Sequence, residues 1–534
     1  MKWPSELETN LDEISHRRTF AIISHPDAGK TTITEKLLLY AGALHIAGAV
    51  KARKASRHAV SDWMAMEREK GISITTSVLQ FESDGKRINL LDTPGHADFS
   101  EDTYRTLAAV DSALMLMDNA KGVEPRTRKL FEVCRLRRLP VMTFINKMAR
   151  PGLEPLELLD QVAETLDIRT VALNWPIGMG QDFAGIYDRM THEVVLYDRV
   201  VGGTEIVPEL VTTIDDPRVT ERIGDRAFEA LVEEIDLLEG AGEPWDQDAY
   251  LKGDLTPFFF GSAMTNFAVK PVLAAINSIA PSPRRRQTTT GWRQPTEPGF
   301  SGFIFKIQAN MNPRHRDRIA FMRVVSGAFT RGMRVRCERS GKDIRLAKPH
   351  TFLAADRAIV DSAVPGDIVG LYDSGEFRIG DTLYDGEALA FKGIPRFAPE
   401  HFARLRLKDP ERRKQLQQGL KQLSLEGSIQ LFVREDLGPA DPYLGAVGML
   451  QFEVLKDRLL HEYRTQVQLE PAPFTVARWV SGEPTGLAWL KERSDYQLVT
   501  DRDGRFVVLA RTPWSLTYAL SEAPGLELLD VSPV

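Results

Sequence analysis

Two short segments of the chain carry side chains that suit the phosphate groups of a nucleotide. The first places Lys30 and Thr31 after a glycine-bearing loop and before an apolar helical stretch. In such a loop, backbone N–H groups and the helix N-terminus surround the phosphates, the lysine reaches the β- and γ-phosphates, and the threonine hydroxyl binds Mg²⁺. The sequence therefore predicts a nucleoside triphosphate site. Its loop consists of Ser24, His25, Pro26, Asp27, Ala28, Gly29, Lys30, Thr31 and Thr32.

The second segment begins where a predicted buried strand ends in a carboxylate. It consists of Asp92, Thr93, Pro94, Gly95 and His96. Asp92 stands where a strand-end aspartate helps to hold Mg²⁺ in nucleotide hydrolases. Gly95 offers a backbone N–H to the γ-phosphate, and His96 is placed to face an attacking water. We therefore expect His96 to be the catalytic residue.

The elements that must position these segments form an α/β pattern over the first 280 residues. Apolar strand-like runs alternate with helical stretches, which is typical of a largely parallel sheet. The runs are residues 20–23, 78–81, 88–91, 113–117, 141–145 and 258–260. The interval from Asn146 to Gly261 exceeds one βα unit of about 30 residues. The sequence therefore predicts an insertion, in which a helix containing Phe228 and Leu238 ends at Gly240.

In the rest of the chain, the sequence pattern changes twice. Prolines and the basic run 284–286 indicate a linker over residues 281–298. Short β-prone runs with glycine turns then predict a small β-barrel, and the remainder mixes helices and strands. We predict a multidomain α/β + β + α+β fold. Its parts are a P-loop domain at 1–282 with an insertion at about 165–255, a β-barrel at 299–390 and a C-terminal α+β domain at 398–534.

Composition agrees with a cytoplasmic, multidomain protein. The 534 residues suffice for three or four domains of roughly 150 residues. Two cysteines, Cys134 and Cys337, argue against a disulfide framework. The N-terminus has no apolar signal region, and no run approaches the roughly 20 residues of a membrane span. The net charge of −6 gives no reason to expect DNA as a partner.

Five of these segments together resemble the guanine-nucleotide motifs of the translational GTPases. They are residues 24–32, 71–73, 92–96, 146–147 and 261–263. Further segments resemble the bacterial class II peptide chain release factors: residues 99–106, 314–318, 320–323, 407–410, 415–420 and 448–452. This resemblance spans nearly the whole chain. It implies a GTPase, stimulated by the ribosome, that cycles between GTP and GDP with Mg²⁺ and drives class I (codon-reading) release factors off after peptide release. We expect a monomer.

The resemblance also implies further site residues. Asn146, Lys147, Met148 and Ala149 would face the base and ribose, together with Ser262 and Ala263. Ser73 would supply a second hydroxyl to Mg²⁺, although the residues alone leave Thr75 as an alternative. Pro26 and Ile72 match the apolar gate that flanks the catalytic histidine in relatives.

One position departs from the family pattern. The residue after Asn146-Lys147-Met148 is an aspartate in the family, where its carboxylate accepts two hydrogen bonds from guanine; here it is Ala149. Leaving the base donors unpaired in a buried pocket costs on the order of 2–5 kcal/mol. We expect phosphate binding to persist and guanine selectivity to weaken.

Three function classes follow from these observations. The first is the ribosomal GTPase switch described above. The second is a nucleotide-binding ribosomal module with weakened guanine selectivity and little turnover. The third is an ATP-dependent transferase, which gives His96 no role. A translocase like elongation factor G is a close rival of the first, but it carries further C-terminal domains.

The two arginine-rich runs leave two interpretations open. Arg284–Arg286 and Arg314–Arg318 could be solvated surface charge or contacts to ribosomal RNA. Only the resemblance favours RNA, because basic runs on soluble proteins are commonly solvated.

Overall fold

The structure is a computed structural model that describes most of the chain. The described residues are 11–43, 73–198, 206–207, 209–309, 318–353, 356–392, 394, 396–435, 438–523, 525–530 and 532. Residues 71–72 and 314–317, which the sequence analysis singles out, lie outside them.

A twisted sheet forms the centre of the first domain. Its strands are β1 (Arg17–Ser24), β2 (Ser77–Ser83), β3 (Lys86–Asp92), β4 (Ser112–Asp118), β5 (Val141–Asn146), β6 (Arg169–Ala172) and β11 (Leu255–Phe260). They lie in the order β2-β3-β1-β4-β5-β11-β6, and all pairs are parallel except β2 with β3. Every residue of β1, β4, β5 and β11 is buried. Strands covered on both faces have such continuous apolar sequences.

Helices cover both faces of this sheet. They are α1 (Lys30–Tyr40), α2 (Ser100–Ala109), α3 (Pro125–Leu136), α4 (Pro155–Leu166) and α8 (Val269–Ser278). The 3₁₀ turn Ala97–Phe99 precedes α2 directly. Prolines occupy the first turns of α3 and α4, where their missing N–H has no helical partner.

The interval between β5 and β11 holds a separate antiparallel layer. Its strands are β7 (Asn174–Ile177), β8 (Gly185–Asp188), β9 (Glu193–Tyr197) and β10 (Glu209–Thr212), in the order β10-β9-β8-β7. The helices α5 (Pro217–Ile223), α6 (Asp225–Ala241) and α7 (Gln247–Lys252) follow. The helix α6 corrects one prediction: it continues through Gly240 to Ala241, because Gly240 faces open space and Gly242 instead donates to the Leu238 carbonyl.

The second domain is a barrel-like arrangement of antiparallel strands. They are β12 (Arg286–Thr288), β13 (Gly291–Arg293), β14 (Ser301–Ala309), β15 (Arg318–Ser326), β16 (Phe329–Thr330), β17 (Arg334–Cys337), β18 (Asp343–Arg345), β19 (Pro349–Leu353), β20 (Asp356–Ile359), β21 (Ser362–Ala363), β22 (Ile368–Tyr372) and β23 (Thr382–Tyr384). β19 pairs with β2, so the barrel continues the sheet of the first domain. The Thr19 hydroxyl also donates to the Gly366 carbonyl at 2.7 Å across this junction.

The structure corrects the predicted linker and shows that two arginines of the run Arg284–Arg286 contact the first domain, whereas Arg285 is exposed. Residues 286–293 form the β12–β13 hairpin, and the Arg284 backbone N–H donates to Oδ1 of Asp111 at 3.0 Å. The Arg286 guanidinium lies 2.9 Å from the same buried carboxylate. This segment therefore packs against the first domain, since Asp111 needs cations beside it when buried.

The C-terminal domain is α+β and has two similar halves. Its strands are β24 (His401–Leu407), β25 (Gln430–Arg434), β26 (Gly438–Ala446), β27 (Val467–Pro471), β28 (Val476–Gly482), β29 (Tyr496–Thr500), β30 (Phe506–Ala510) and β31 (Leu526–Leu529). Its helices are α9 (Arg413–Leu425), α10 (Met449–Tyr463), α11 (Pro484–Lys491) and α12 (Pro513–Glu522). The halves join where β25 pairs with β29. The predicted fold class, with P-loop, barrel and α+β parts, is confirmed.

Two further sequence-based expectations concern membranes and cysteines. Among the described residues, no helix is long and apolar enough to cross a membrane. Both cysteines are free and buried, and burial raises the pKa of Cys134 to about 12, so this thiol stays protonated at neutral pH.

Candidate nucleotide-binding site

The predicted site segments meet at one edge of the central sheet. The phosphate loop follows β1, the Asp92 segment ends β3, the Asn146 segment ends β5, and Ser262 and Ala263 follow β11. These strands are neighbours and parallel, so their carboxyl ends share an edge. Ligands in open α/β sheets bind at such an edge.

The phosphate loop has the backbone shape that an anion needs. Asp27 and Gly29 both adopt left-handed conformations, with φ of 65° and 94°. Turns of this kind direct successive N–H groups into one concave surface. Space also requires glycine at residue 29, because a Cβ there would lie 2.3 Å from Nδ2 of Asn146. The loop can therefore surround a phosphate with backbone donors.

Lys30 and Asp92 form a buried ion pair beside this loop. The Lys30 Nζ lies 2.6 Å from Oδ1 of Asp92, and the two side chains are 6% and 1% exposed. The second oxygen, Oδ2, is buried without a hydrogen-bond partner among the described residues. A free carboxylate oxygen is the type of ligand that Mg²⁺ prefers. The residues present therefore fit a magnesium ion at Asp92.

Asn146 joins three loops of the site through one side-chain amide. Its Nδ2 donates to the Ala28 carbonyl at 2.7 Å, and its Oδ1 accepts from the Ala263 backbone N–H at 2.9 Å. The same Oδ1 accepts from the Lys147 N–H at 2.8 Å. The side chain is 3% exposed, so losing these bonds would leave buried backbone groups unpaired. Asn146 thus fixes the 146–149 loop and the 262–263 segment, the predicted base side of the site, to the phosphate loop.

Lys147 lies over the end of β4, a strand that the sequence analysis did not assign to the site. Its backbone is left-handed, with φ of 69°, and its Nζ lies 2.7 Å from Oδ2 of Asp118. Burial raises the pKa of Asp118, but hydrogen bonds from Lys147 and from the Ala120 N–H outweigh it and lower the pKa below its usual range. The available signal was a carboxylate at a strand end, as at Asp92.

His25 links the phosphate loop to the same region. Its Nε2 accepts from the Asp118 backbone N–H at 3.2 Å, while Nδ1 faces the Pro26 carbonyl at 2.8 Å and the Glu124 carboxylate. Burial lowers the pKa of His25, although Glu124 acts in the opposite direction. Nε2 accepts a hydrogen bond, and two oxygens that can accept one lie beside Nδ1. The ring therefore fits the neutral tautomer with its hydrogen on Nδ1. The sequence predicted His25 in the loop, but not Glu124 as its partner.

The loop that carries Ala149 is fixed by backbone hydrogen bonds and by a bond from Nδ2 of Asn119 to the Arg150 carbonyl at 2.8 Å. The Met148 N–H donates to the Gly261 carbonyl at 3.1 Å, and the Met148 carbonyl accepts from the Gly180 N–H at 2.8 Å. Ala149 is partly buried against the apolar core of the domain. The loop therefore keeps its shape without a carboxylate at residue 149.

His96 stands at the entrance of the 3₁₀ turn, next to the phosphate loop. A Cβ on the preceding Gly95 would lie 3.8 Å from Oγ of Ser24 and from the His25 carbonyl oxygen. The His96 side chain is 38% exposed, and its Nδ1 lies 3.3 Å from the Asp98 backbone nitrogen. A half-exposed imidazole beside the phosphate loop can reach a water there.

The segment after Ser73 is tied to two domains. The Thr76 N–H and hydroxyl both bond to Oδ2 of Asp102, at 2.7 and 2.6 Å, and Lys306 from β14 donates to the Thr76 carbonyl. Burial raises the pKa of Asp102, but Lys306 and Thr76 outweigh it and lower the pKa. Ser73 lies three residues before Thr76, which makes these contacts.

Comparisons with known protein families cover the three domains separately. Residues 15–282 match the elongation factor Tu GTP binding domain, and residues 299–386 match elongation factor G domain 2. Residues 391–520 match the family described as class II release factor RF3, C-terminal domain.

Whole-chain relatives agree with these matches. The chain is 54% identical to the peptide chain release factor 3 of Symbiobacterium thermophilum, over 97% of this chain and 98% of that protein. It is 50% identical to that of Microcystis aeruginosa, over 99% and 97%. A crystal structure of ttk003000868 from Thermus thermophilus shares the fold with a TM-score of 0.68, at 23% identity, over 91% of this chain and 72% of that one.

Proposed function

The chain belongs to the peptide chain release factor 3 family of translational GTPases, and from this premise we propose that it drives class I release factors off the ribosome after peptide release. GTP hydrolysis is the reaction of this family. The observation that carries the proposal is the family-specific C-terminal domain closed onto the GTPase domain. The Arg105 guanidinium of α2 reaches the Gly427 carbonyl at 3.4 Å across that interface. A nucleotide-dependent change in the first domain can therefore reach the third.

We assign the triphosphate to the loop at residues 24–32. The backbone N–H groups around Asp27 and Gly29 hold phosphate oxygens, and Lys30 turns from Asp92 toward the β- and γ-phosphates. Asp92, Thr31 and Ser73 are the residues that would hold Mg²⁺. At these residues Mg²⁺ would supply positive charge that offsets the charge of the phosphates. The unpartnered Oδ2 of Asp92 supports this assignment.

We assign His96 as the residue that orients the attacking water. Gly95 places it against the phosphate loop, and the half-exposed ring leaves room for a solvent molecule. Its contribution falls in the range of positioned acid–base groups, about 10²–10⁴-fold in rate. Asn146, Lys147 and Ala263 hold the base side of the nucleotide.

We assign the conformational switch to the segment from Ser73 to Thr76, which connects the nucleotide site to two domains. Thr76, close after Ser73, is held by Asp102 of α2 and Lys306 of β14. Ordering of the Ser73 segment by a γ-phosphate would therefore pull on both the GTPase domain and the barrel. A monomer in the cytoplasm, where ribosomes work, fits this mechanism.

The test compares the native chain with His96→Ala on post-termination ribosomes that hold a class I release factor. We expect His96→Ala to keep GTP affinity within about twofold and to lose ribosome-stimulated turnover by at least about 10²-fold. When the native chain is added, the class I factor should dissociate from the ribosome faster, and this acceleration of its dissociation rate should require guanine nucleotide. Normal turnover in His96→Ala would contradict the catalytic assignment. A dissociation rate of the class I factor that the native chain and guanine nucleotide do not change would contradict the proposed function.

A further inference from the structure

The 3₁₀ turn that follows His96 lies on the first turn of helix α10 in the C-terminal domain. Oδ2 of Asp98 accepts a hydrogen bond from the Leu450 backbone N–H at 2.7 Å. Leu450 is the second residue of α10, whose first-turn N–H groups have no partner within the helix. Asp98 therefore acts as a helix cap supplied by another domain, 352 residues away in sequence.

The same carboxylate faces the catalytic ring. Oδ1 of Asp98 lies 3.3 Å from Nδ1 of His96, and the Asp98 side chain is 18% exposed. The Asp98 backbone N–H donates a hydrogen bond to the same Nδ1, also at 3.3 Å. Asp98 therefore holds the ring through its backbone and places its carboxylate charge beside the same nitrogen. One carboxylate thus contacts both α10 and the imidazole.

Gly448 makes room for this contact. Its backbone is extended, with φ of −147°, so no unusual conformation requires glycine there. A Cβ at residue 448 would nevertheless lie 2.0 Å from the carboxylate carbon of Asp98. A glycine also has no side-chain oxygen with which to cap its own helix. The absent side chain at 448 and the carboxylate at 98 therefore complement each other.

Apolar and charged groups close the junction. Ile74, Phe99 and Val454 form a small buried cluster, with Leu450 packed against it. Ile74 follows Ser73 directly, so α10 touches both segments that flank the γ-phosphate position. Arg126 of α3 also acts electrostatically on Asp98. Arg126 and the positive end of the α10 dipole are thus the charges that face Asp98, beside the His96 ring.

We propose that Asp98 is a positioning residue, through which helix α10 of the C-terminal domain sets the orientation of the His96 ring. The proposal rests on the assignment of His96 as the catalytic residue. When α10 holds the carboxylate, the ring is held with it. When the C-terminal domain shifts on the ribosome, the carboxylate and the ring are free to reorient together.

The first test replaces the carboxylate and keeps its shape. Asp98→Asn still offers an oxygen to the Leu450 N–H, but it has no negative charge for Nδ1. We expect ribosome-stimulated kcat to fall about tenfold to a hundredfold, while KM for GTP and Tm stay unchanged. The control is Asp246→Asn, which caps α7 through the Ala249 N–H far from the site. If Asp98 served only as a helix cap, Asp98→Asn would leave both kcat and Tm unchanged.

The second test moves the carboxylate without altering it. Gly448→Ala pushes Asp98 away from the ring, and we expect about a tenfold loss of kcat. Gly240→Ala is the matched control, because a Cβ there meets nothing within 4 Å. Equal kcat in Gly448→Ala and in the native chain would overturn the proposal.

A double variant separates this inference from the proposed function. If Asp98 acts through His96, adding Asp98→Asn to His96→Ala should lower the residual turnover no further. If His96→Ala alone left turnover normal, the catalytic assignment would fail. If His96→Ala removed turnover and Asp98→Asn did not change kcat, only the role of Asp98 would fail.

Discussion

The phosphate side and the base side of the nucleotide site occupy the same sheet edge, yet they differ in what their side chains do. On the phosphate side, Lys30 and Asp92 form a buried ion pair, and we propose that the same two side chains also contact the phosphates and Mg²⁺. On the base side, these two duties are divided. Asn146 holds the loops together, whereas residue 149, which packs partly against the core, is the position that we propose reads the base. The loop is formed with Ala149 at this position, so the fold does not depend on a carboxylate there.

The largest effect should follow from breaking the phosphate side. Lys30→Ala removes the cation that meets the γ-phosphate and leaves Asp92 buried without its partner. Truncating one member of such a pair costs on the order of 2–5 kcal/mol or more. We expect GTP affinity, measured by isothermal titration calorimetry, to fall about 10³-fold, with relative base preference unchanged.

The control for that variant is Lys270→Ala, which removes an exposed lysine that pairs with Glu209. Exposed pairs contribute about 0–1 kcal/mol. An affinity loss of equal size in both variants would show that Lys30 has no special relation to the phosphates.

A smaller effect should follow from breaking the scaffold of the base side. Asn146→Ala leaves the Ala28 carbonyl and the Ala263 N–H without partners, at about 1–3 kcal/mol for each buried group. We expect a lower free energy of unfolding by about 3 kcal/mol, measured with urea, and weaker binding of every nucleotide. Asn277→Ala, which loses one bond to the Ser83 hydroxyl, is the milder control. Equal destabilisation by the two variants would refute the scaffold role.

Local sequence patterns predicted the strands and the phosphate loop because apolar runs and glycine positions report on nearby structure. The runs at residues 20–23, 88–91 and 141–145 all lie inside strands. Local sequence patterns did not predict the contacts between residues that lie far apart in the sequence. The supposed linker is held by Asp111, some 175 residues from Arg286. His25 meets Asp118 across 93 positions, and Asp98 caps α10 across 352. No local period encodes such contacts.

The boundary of α6 failed for a different reason. Glycine weakens a helix by only about 1 kcal/mol. The exposed Gly240 is therefore tolerated within α6, and the following Gly242 ends it.

The most direct test of the division between scaffold and base reading is an equilibrium titration with fluorescent guanine, xanthine and adenine diphosphates, with Ala149→Asp beside the native chain. We predict phosphate-dependent binding in both, and a guanine preference that Ala149→Asp increases by roughly 2 kcal/mol, or about 30-fold. Strong guanine preference in the native chain, unchanged by Ala149→Asp, would mean that another group reads the base and would contradict the account.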